Sequence, residues 1–409
     1  MKYGLIGESL SHSFSKIVHK KLGDYSYELC EIAPESLEGF MKERDFLGIN
    51  VTIPYKEAVI PYLDYVDYSA KSIGAVNTVV NRDGKLYGYN TDYHGLRALF
   101  EYAGIDPIGK KAAILGAGAT SKTAYAVLRH LGADMIITAG RKRRIGNMDY
   151  AELIEKHSDT EIIVNTTPLG MRPFITEAAV DLSYFHNLSG VIDVVYNPLN
   201  TTLFQQAREL GVRAETGLYM LIAQAVYASE LFFDIKYPKD TIEKIHQQIK
   251  QDTENIVLIG MPASGKSTVG RILADRLGRR LIDTDELIEE RAGMTVREIF
   301  DTMGEEEFRR LEVEAIGSIC KETSLIISTG GGVILRKENL SALRYNGKLF
   351  FIDRPLENLI PTDTRPLSSN REAIEARYNE RYGIYCSVCD KRIDADCSPK
   401  EVADKILEK

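Results

Sequence analysis

Asn255-Ile-Val-Leu-Ile-Gly260-Met-Pro-Ala-Ser264-Gly265-Lys266-Ser267-Thr268-Val-Gly-Arg271 points to a reaction and divides the chain. The apolar residues at 256–259 predict a buried parallel strand, and those from Gly260 to Ser267 fit G-x-x-x-x-G-K-[ST], the spacing of a P-loop. In such a loop the glycines let backbone N–H groups turn inward around phosphate oxygens. A lysine adds positive charge, and the dipole of the helix that follows favours the anion. Gly260, Ser264, Gly265, Lys266, Ser267 and Thr268 are the expected nucleotide-binding set, with the Ser267 hydroxyl a candidate Mg²⁺ ligand. An amphipathic helix over 267–277 completes the unit.

A chain of 409 residues is too long for one ordinary domain, so two or three are expected. Apolar content of 44% and charged content of 27% describe a globular chain with ample core material. A net charge of −8 argues against nucleic acid or an anionic membrane surface as partner. The opening Met1-Lys2-Tyr3-Gly4 leads straight into strand-like sequence, and no apolar run reaches membrane-spanning length. The nearest, 218–233, carries Gln224, Ser229 and Glu230, so the cytoplasm is the expected compartment. The five cysteines read as reduced thiols. Cys386-Ser-Val-Cys389 with Cys397 lacks a fourth metal ligand, because no histidine follows His246.

In chain order, a strand at 2–7 precedes the serine-rich turn 8–15 and a helix at 16–22, a set of hydroxyls suited to a polyhydroxylated ligand. An alternating strand at 47–53 is stopped by Pro54 and followed by Lys56. A strand at 74–80 has polar residues embedded, and Tyr87-Gly-Tyr-Asn90-Thr-Asp92 opens a helix over 93–102. An Asn/Thr-rich set around one lysine and one aspartate is what a small polar substrate and a proton shuttle need. From Lys110 the pattern becomes βα units. A strand at 111–115, the turn Gly116-Ala117-Gly118-Ala119 and a helix at 122–131 begin a dinucleotide-binding fold. The second strand, 134–139, ends in Gly140-Arg141-Lys142-Arg143-Arg144 where an acidic residue would hold unphosphorylated ribose. This basic turn suits a 2′-phosphate and therefore NADP(H). Further strands at 161–165 and 190–196 end in polar turns, and a polar helix at 241–252 runs into a linker near Asp252.

Taken together, Ser13-Phe-Ser15, Asn50-Val-Thr52-Ile-Pro-Tyr-Lys56, Gly74-Ala-Val-Asn77-Thr, Asn90-Thr-Asp92, Gly116-Ala-Gly118, Asn165-Thr-Thr-Pro, Asp193-Val-Val-Tyr196-Asn-Pro and Gly217-Leu-Tyr-Met-Leu-Ile-Ala-Gln224 make the first 250 residues resemble shikimate dehydrogenase. The resemblance implies that Ser13, Ser15, Thr52, Asn77, Asp92, Tyr196 and Gln224 contact shikimate and that Lys56 and Asp92 form the catalytic pair. It also implies that Gly116, Ala117, Gly118, Ala119, Arg141 and Gly217 meet the cofactor. Departures are Ala119 and Ser121 in the glycine-rich turn, Gly140 and Lys142 in place of an Asn-Arg-Thr pattern, Tyr93 where glycine is usual, and a stretch between Arg141 and Ile162 that looks short by one βα unit.

Beyond the P-loop, a strand over 280–285 ends in Asp283 and Asp285, a helix over 300–312 carries Arg309, and a strand over 324–329 leads into Gly330-Gly331-Gly332. Arg365-Pro-Leu is a turn, and a helix over 372–385 carries Arg381. Residues 254–409 resemble shikimate kinase. By that resemblance Asp285, Arg309, Gly331 and Arg381 bind shikimate, with Asp285 orienting or deprotonating its 3-hydroxyl. Ser267 and Asp283 serve Mg²⁺, and Arg365 lies on a lid over the transferring phosphoryl group of ATP. The segment 357–364 lacks the second arginine of the usual lid.

The expected fold is α/β throughout: a shikimate-binding domain at 1–95 with 217–250, a Rossmann-like NADP-binding domain at 96–216, and a P-loop kinase domain at 254–409 with a parallel sheet flanked by helices. The implied function is bifunctional, reducing 3-dehydroshikimate to shikimate and phosphorylating shikimate. The alternative is a broader quinate/shikimate dehydrogenase joined to a kinase-like domain that senses nucleotide or shikimate without turnover. Small molecules are the expected partners, and a homodimer is left open.

Overall fold

The computed structural model of the chain describes residues 1–10, 14–142, 146–360 and 370–408. Two compact units result, Met1–Ile249 and Lys250–Lys409. Among the described residues no helix is long and apolar enough to cross a membrane.

The first unit begins with β1 (Tyr3–Gly7), α1 (Ser15–Leu22), β2 (Glu28–Glu31), α2 (Leu37–Glu43), β3 (Gly48–Val51), β4 (Tyr65–Val66), α3 (Tyr68–Ile73), β5 (Thr78–Arg82), β6 (Lys85–Tyr89) and α4 (Thr91–Ala103). Their sheet runs β2-β1-β3-β5-β6-β4. The alternation expected at 47–53 is absent, since all four residues of β3 are buried. Ile49 and Val51 join a core with Ile6 and Met41, while on the other side the Phe232 ring lies against Gly48. The strand expected from Gly74 starts only at Thr78, because Gly74 caps α3 in a left-handed conformation (φ 73°). Tyr87-Gly-Tyr89, expected as the approach to a helix, belongs to β6.

The second sheet comprises β7 (Lys111–Leu115), β8 (Met135–Gly140), β9 (Met148–Asp149), β10 (Ile162–Asn165), β11 (Gly190–Asp193) and β12 (Arg213–Thr216), with helices α5 (Ala119–His130), α6 (Tyr150–His157) and α7 (Thr202–Glu209). All pairs are parallel in the order β12-β11-β10-β7-β8-β9. The shortfall expected between Arg141 and Ile162 takes a specific form. A remnant strand, β9, pairs two residues with β8, and α6 follows it, but no helix joins β8 to β9 among the described residues. The chain then returns to the first sheet with α8 (Leu218–Phe233) and α9 (Thr241–Thr253). Leu218, Ile222 and Ala225 pack on Val18 and Leu22 of α1.

His19 fixes α1 from below. Its ring stacks on Tyr27 at 3.7 Å between centroids, and Nδ1 lies 2.5 Å from the Tyr25 hydroxyl. Burial pushes its pKa down to about 3. The unfolded chain takes up this proton near pH 6.5 and the folded chain only near pH 3, so stability falls as pH drops through that window. In denaturant titrations, the wild type should lose about 1.4 kcal/mol per pH unit relative to His19→Phe between pH 6 and 5. Parallel pH profiles would contradict a neutral buried imidazole.

The second unit contains β13 (Asn255–Ile259), α10 (Lys266–Leu277), β14 (Leu281–Asp283), α11 (Thr284–Ala292), α12 (Val296–Ile319), β15 (Ile326–Ser328), α13 (Lys337–Arg344), β16 (Gly347–Asp353), α14 (Arg371–Val388), β17 (Lys391–Asp394) and α15 (Pro399–Leu407). Its five strands are parallel in the order β14-β15-β13-β16-β17. The central strand β13 buries Val257 and Ile259 in one core and Leu258 in the other, which is why its apolar run is continuous. The strand expected at 280–285 stops at Asp283. That carboxylate caps α11, with Oδ1 accepting from Asp285 N at 3.0 Å, so Asp285 sits in a first helical turn.

Candidate active sites

In the first unit, Ser15, Thr52, Lys56, Asn77, Asp92, Tyr196 and Gln224 all line one cleft of about 540 Å³, and Gly217, expected to meet the cofactor, lines it too. Ser13 lies outside the described residues. At the centre Lys56 Nζ donates to Asp92 Oδ2 at 2.7 Å, with both side chains mostly buried. The partners come from different elements. Lys56 follows β3, and its carbonyl accepts from Val76 N at 2.8 Å. Asp92 stands in the first turn of α4, where the Asn90 side chain caps Tyr93 N at 3.0 Å. Asn77 locks that turn, with Oδ1 accepting from Thr91 N at 2.6 Å and Nδ2 donating to Thr91 Oγ1 at 3.1 Å. A helix start, a strand start and a post-strand turn are thereby pinned around one lysine.

Two residues outside the expected site set shape this cleft. Asn50, on its wall, donates to Thr78 Oγ1 at 3.0 Å and accepts from Tyr27 OH at 2.7 Å. Asp193 accepts from Asn165 Nδ2 (2.9 Å), Val195 N (3.0 Å) and Thr201 Oγ1 (2.6 Å), which fixes the turn bearing Tyr196. Burial pushes the Asp193 carboxyl up to about 6, with those three donors opposing the shift. Only glycine fits at 217, since an added Cβ would stand 2.1 Å from the Val194 carbonyl oxygen.

A groove of about 630 Å³ adjoins the cleft, with Ile53 and Thr120 lining both. Gly116, Ala117, Gly118, Ala119, Arg141 and Lys142 line it, and α5 begins at its edge. Backbone N–H groups at a helix start, two cations and a neighbouring polar cleft suit an extended dinucleotide. Arg143 and Arg144 of the expected basic turn lie outside the described residues.

In the second unit the P-loop closes on its own lysine. Lys266 is buried, with Nζ donating to the carbonyl oxygens of Gly260 (2.9 Å) and Met261 (2.8 Å) and lying 3.5 Å from Ser264 Oγ. Thr268 is exposed in the first turn of α10. Ser267 Oγ, the candidate Mg²⁺ ligand, donates to Asp283 Oδ2 at 2.7 Å. Ser328, at the end of β15, also donates to that oxygen at 3.0 Å. This all-oxygen set suits a hard divalent cation that keeps most of its waters.

Beside it, Asp285, Arg309, Gly331 and Arg381 converge on the glycine turn after β15. A Cβ on Gly330 would stand 2.6 Å from Asp285 Oδ1 and 3.3 Å from Glu312 Oε1, and one on Gly332 would overlap the Arg309 guanidinium. Arg381 Nη1 and Tyr385 OH both donate to the Gly331 carbonyl, at 3.2 Å and 2.5 Å. Glu312 was not singled out from the sequence. It is fully buried and accepts from Arg309 Nη1 at 3.1 Å and Asn339 Nδ2 at 3.3 Å. Burial pushes its carboxyl above the usual carboxylate range, against the pull of Arg309. Its i,i+3 spacing from Arg309 was the signal available. Arg365 lies outside the described residues.

Residues 5–79 match the family described as "Shikimate dehydrogenase substrate binding domain", and residues 262–409 match "Shikimate kinase". A "Shikimate dehydrogenase (NADP(+))" of Clostridium perfringens is 37% identical over 266 residues, covering 61% of this chain and 98% of that protein. The crystal structure of shikimate dehydrogenase 1 from Peptoclostridium difficile aligns with a TM-score of 0.56 at 38% identity, covering 61% of this chain and 98% of its own. The Thermus thermophilus shikimate 5-dehydrogenase, in complex with NADP(H) and shikimate, aligns with a TM-score of 0.55 at 30% identity, covering 61% and 99%.

Proposed function

The chain belongs to the shikimate dehydrogenase family and carries a shikimate kinase domain after it, and from that premise we propose that Lys56 and Asp92 run one reaction and the P-loop the other on a shared product, shikimate. The observation that carries the first half is the 2.7 Å Lys56–Asp92 pair, set in a cleft lined with hydroxyl and amide groups and opening onto a dinucleotide groove.

NADPH, when bound, supplies the hydride. Lys56 Nζ stabilises the charge that develops on the ketone oxygen of 3-dehydroshikimate and delivers the proton. Asp92 holds the ammonium in line and accepts from a ring hydroxyl. Ser13, Ser15, Thr52, Asn77, Tyr196 and Gln224 are the proposed hydroxyl and carboxylate contacts. Arg141 and Lys142 are the proposed contacts to the 2′-phosphate.

In the second unit, Lys266 exchanges its carbonyl partners for the phosphates of ATP, and Arg309 and Arg381 take the shikimate carboxylate. Asp285 orients the 3-hydroxyl, and Arg365 closes over the transferring group. Mg²⁺, when bound, neutralises phosphate charge; the Ser267 and Asp283 oxygens would hold it, with Ser328 steadying Asp283.

The test is direct: purified chain should oxidise NADPH with 3-dehydroshikimate and release ADP with shikimate and ATP, while neither NADH nor quinate matches these rates. A faster rate with NADH would remove the 2′-phosphate assignment. Glu312→Gln should raise the KM for shikimate in the kinase assay about tenfold with little change for ATP, because Arg309 loses its buried counter-charge. Equal changes in both KM values would assign Glu312 a general packing role instead.

A further inference from the structure

The chain between Asp353 and Asn370 holds two arginines, Arg354 and Arg365. Arg354 follows β16 directly, and the residues on both sides of it are anchored. Before it, Asp353 Oδ2 accepts from Arg392 Nε at 2.5 Å and from Tyr382 OH at 3.3 Å. After it, Asn358 Nδ2 donates to Asp396 Oδ1 at 2.8 Å, and Arg371 Nη1 donates to the Leu356 carbonyl at 3.0 Å.

The guanidinium held by this anchored backbone points at the P-loop. A Cβ on Gly265 would stand 3.8 Å from Arg354 Nη1, while Nε is buried with no acceptor among the described residues. Asp353 Oδ2 is held by Arg392 and Tyr382, and the Gly260 and Met261 carbonyls by Lys266. A planar fork of donors beside a loop whose N–H groups gather phosphate matches the geometry of a polyphosphate.

We infer that Arg354 is a nucleotide-binding residue whose guanidinium forks the polyphosphate of ATP across the P-loop from Lys266. The inference rests on the kinase reading of the second unit. It assigns the nucleotide side of that site a cation outside the P-loop motif and outside the 361–369 segment.

The test uses the full chain. Arg354→Ala should raise the KM for ATP about tenfold, the loss expected for hydrogen bonds to a charged group, with the KM for shikimate changed less than about twofold. Arg354→Lys should recover part of the loss, because the charge returns without the fork. By titration calorimetry the same Ala variant should weaken ADP and leave adenosine, which has no phosphate, unaffected. A KM for ATP within about twofold of wild type, or equal rises in both KM values, would overturn the assignment. If wild-type chain transfers no phosphate to shikimate, the kinase reading fails by itself, and the ADP titration still decides Arg354.

Discussion

Lys56→Ala should lower dehydrogenase turnover by about 10²- to 10⁴-fold, the range for losing a positioned acid that also faces developing charge. The 2.7 Å bond to Asp92 predicts the form of the loss. Without the ammonium, the ketone oxygen has neither a cation nor a proton source at hand, so kcat falls more than substrate affinity does. Asp92→Asn should follow it less steeply, since the lysine keeps its charge but loses its orientation. Kinase activity of Lys56→Ala should match wild type, as that lysine belongs to the Met1–Ile249 unit and the P-loop to the other. A folded Lys56→Ala chain that lost both activities together would contradict separate active sites.

Lys266→Ala should have the opposite effect: kinase kcat/KM falling by about 10²- to 10³-fold with NADPH oxidation unchanged. In the structure the Lys266 ammonium is bound to two P-loop carbonyls, which hold its charge inside the loop that the phosphates would enter. The backbone cradle and α10 survive the substitution, which predicts weakened rather than abolished ADP binding. A Lys266→Ala enzyme transferring phosphate at the wild-type rate would remove the P-loop from the mechanism.

The sequence was most legible where chemistry and local structure share a few consecutive residues. The run at 256–259 and the glycine turn after it required only a buried strand and a helix start, and β13 and α10 follow that reading closely. β7 likewise matches its five apolar-rich residues. Pairing across distance was harder. Lys56 and Asp92 lie 36 positions apart, and no spacing rule joins them; the Asn/Thr-rich residues around each suited a proton shuttle, and a resemblance to known enzymes made them a catalytic pair. β6 was missed although Asp83-Gly84 precedes it. Both residues have positive φ, which is the turn a tight hairpin needs, and that dipeptide was the available signal. Asp285 was placed on a strand because two acids after an apolar run resemble a strand end, whereas Asp283 itself starts the helix. Ser328 carried no signal at all. A serine at a strand end is ordinary, and only the fold brings it to Asp283.

The central claim is that one chain makes shikimate at one site and consumes it at the other. The most direct measurement gives the purified chain 3-dehydroshikimate, NADPH and ATP together, and follows NADPH absorbance and ADP release in the same cuvette. The account predicts that ADP appears only after NADPH oxidation begins and stops when NADPH is withheld. ADP release that ignores NADPH, or NADPH oxidation with no ADP following it, would contradict the account.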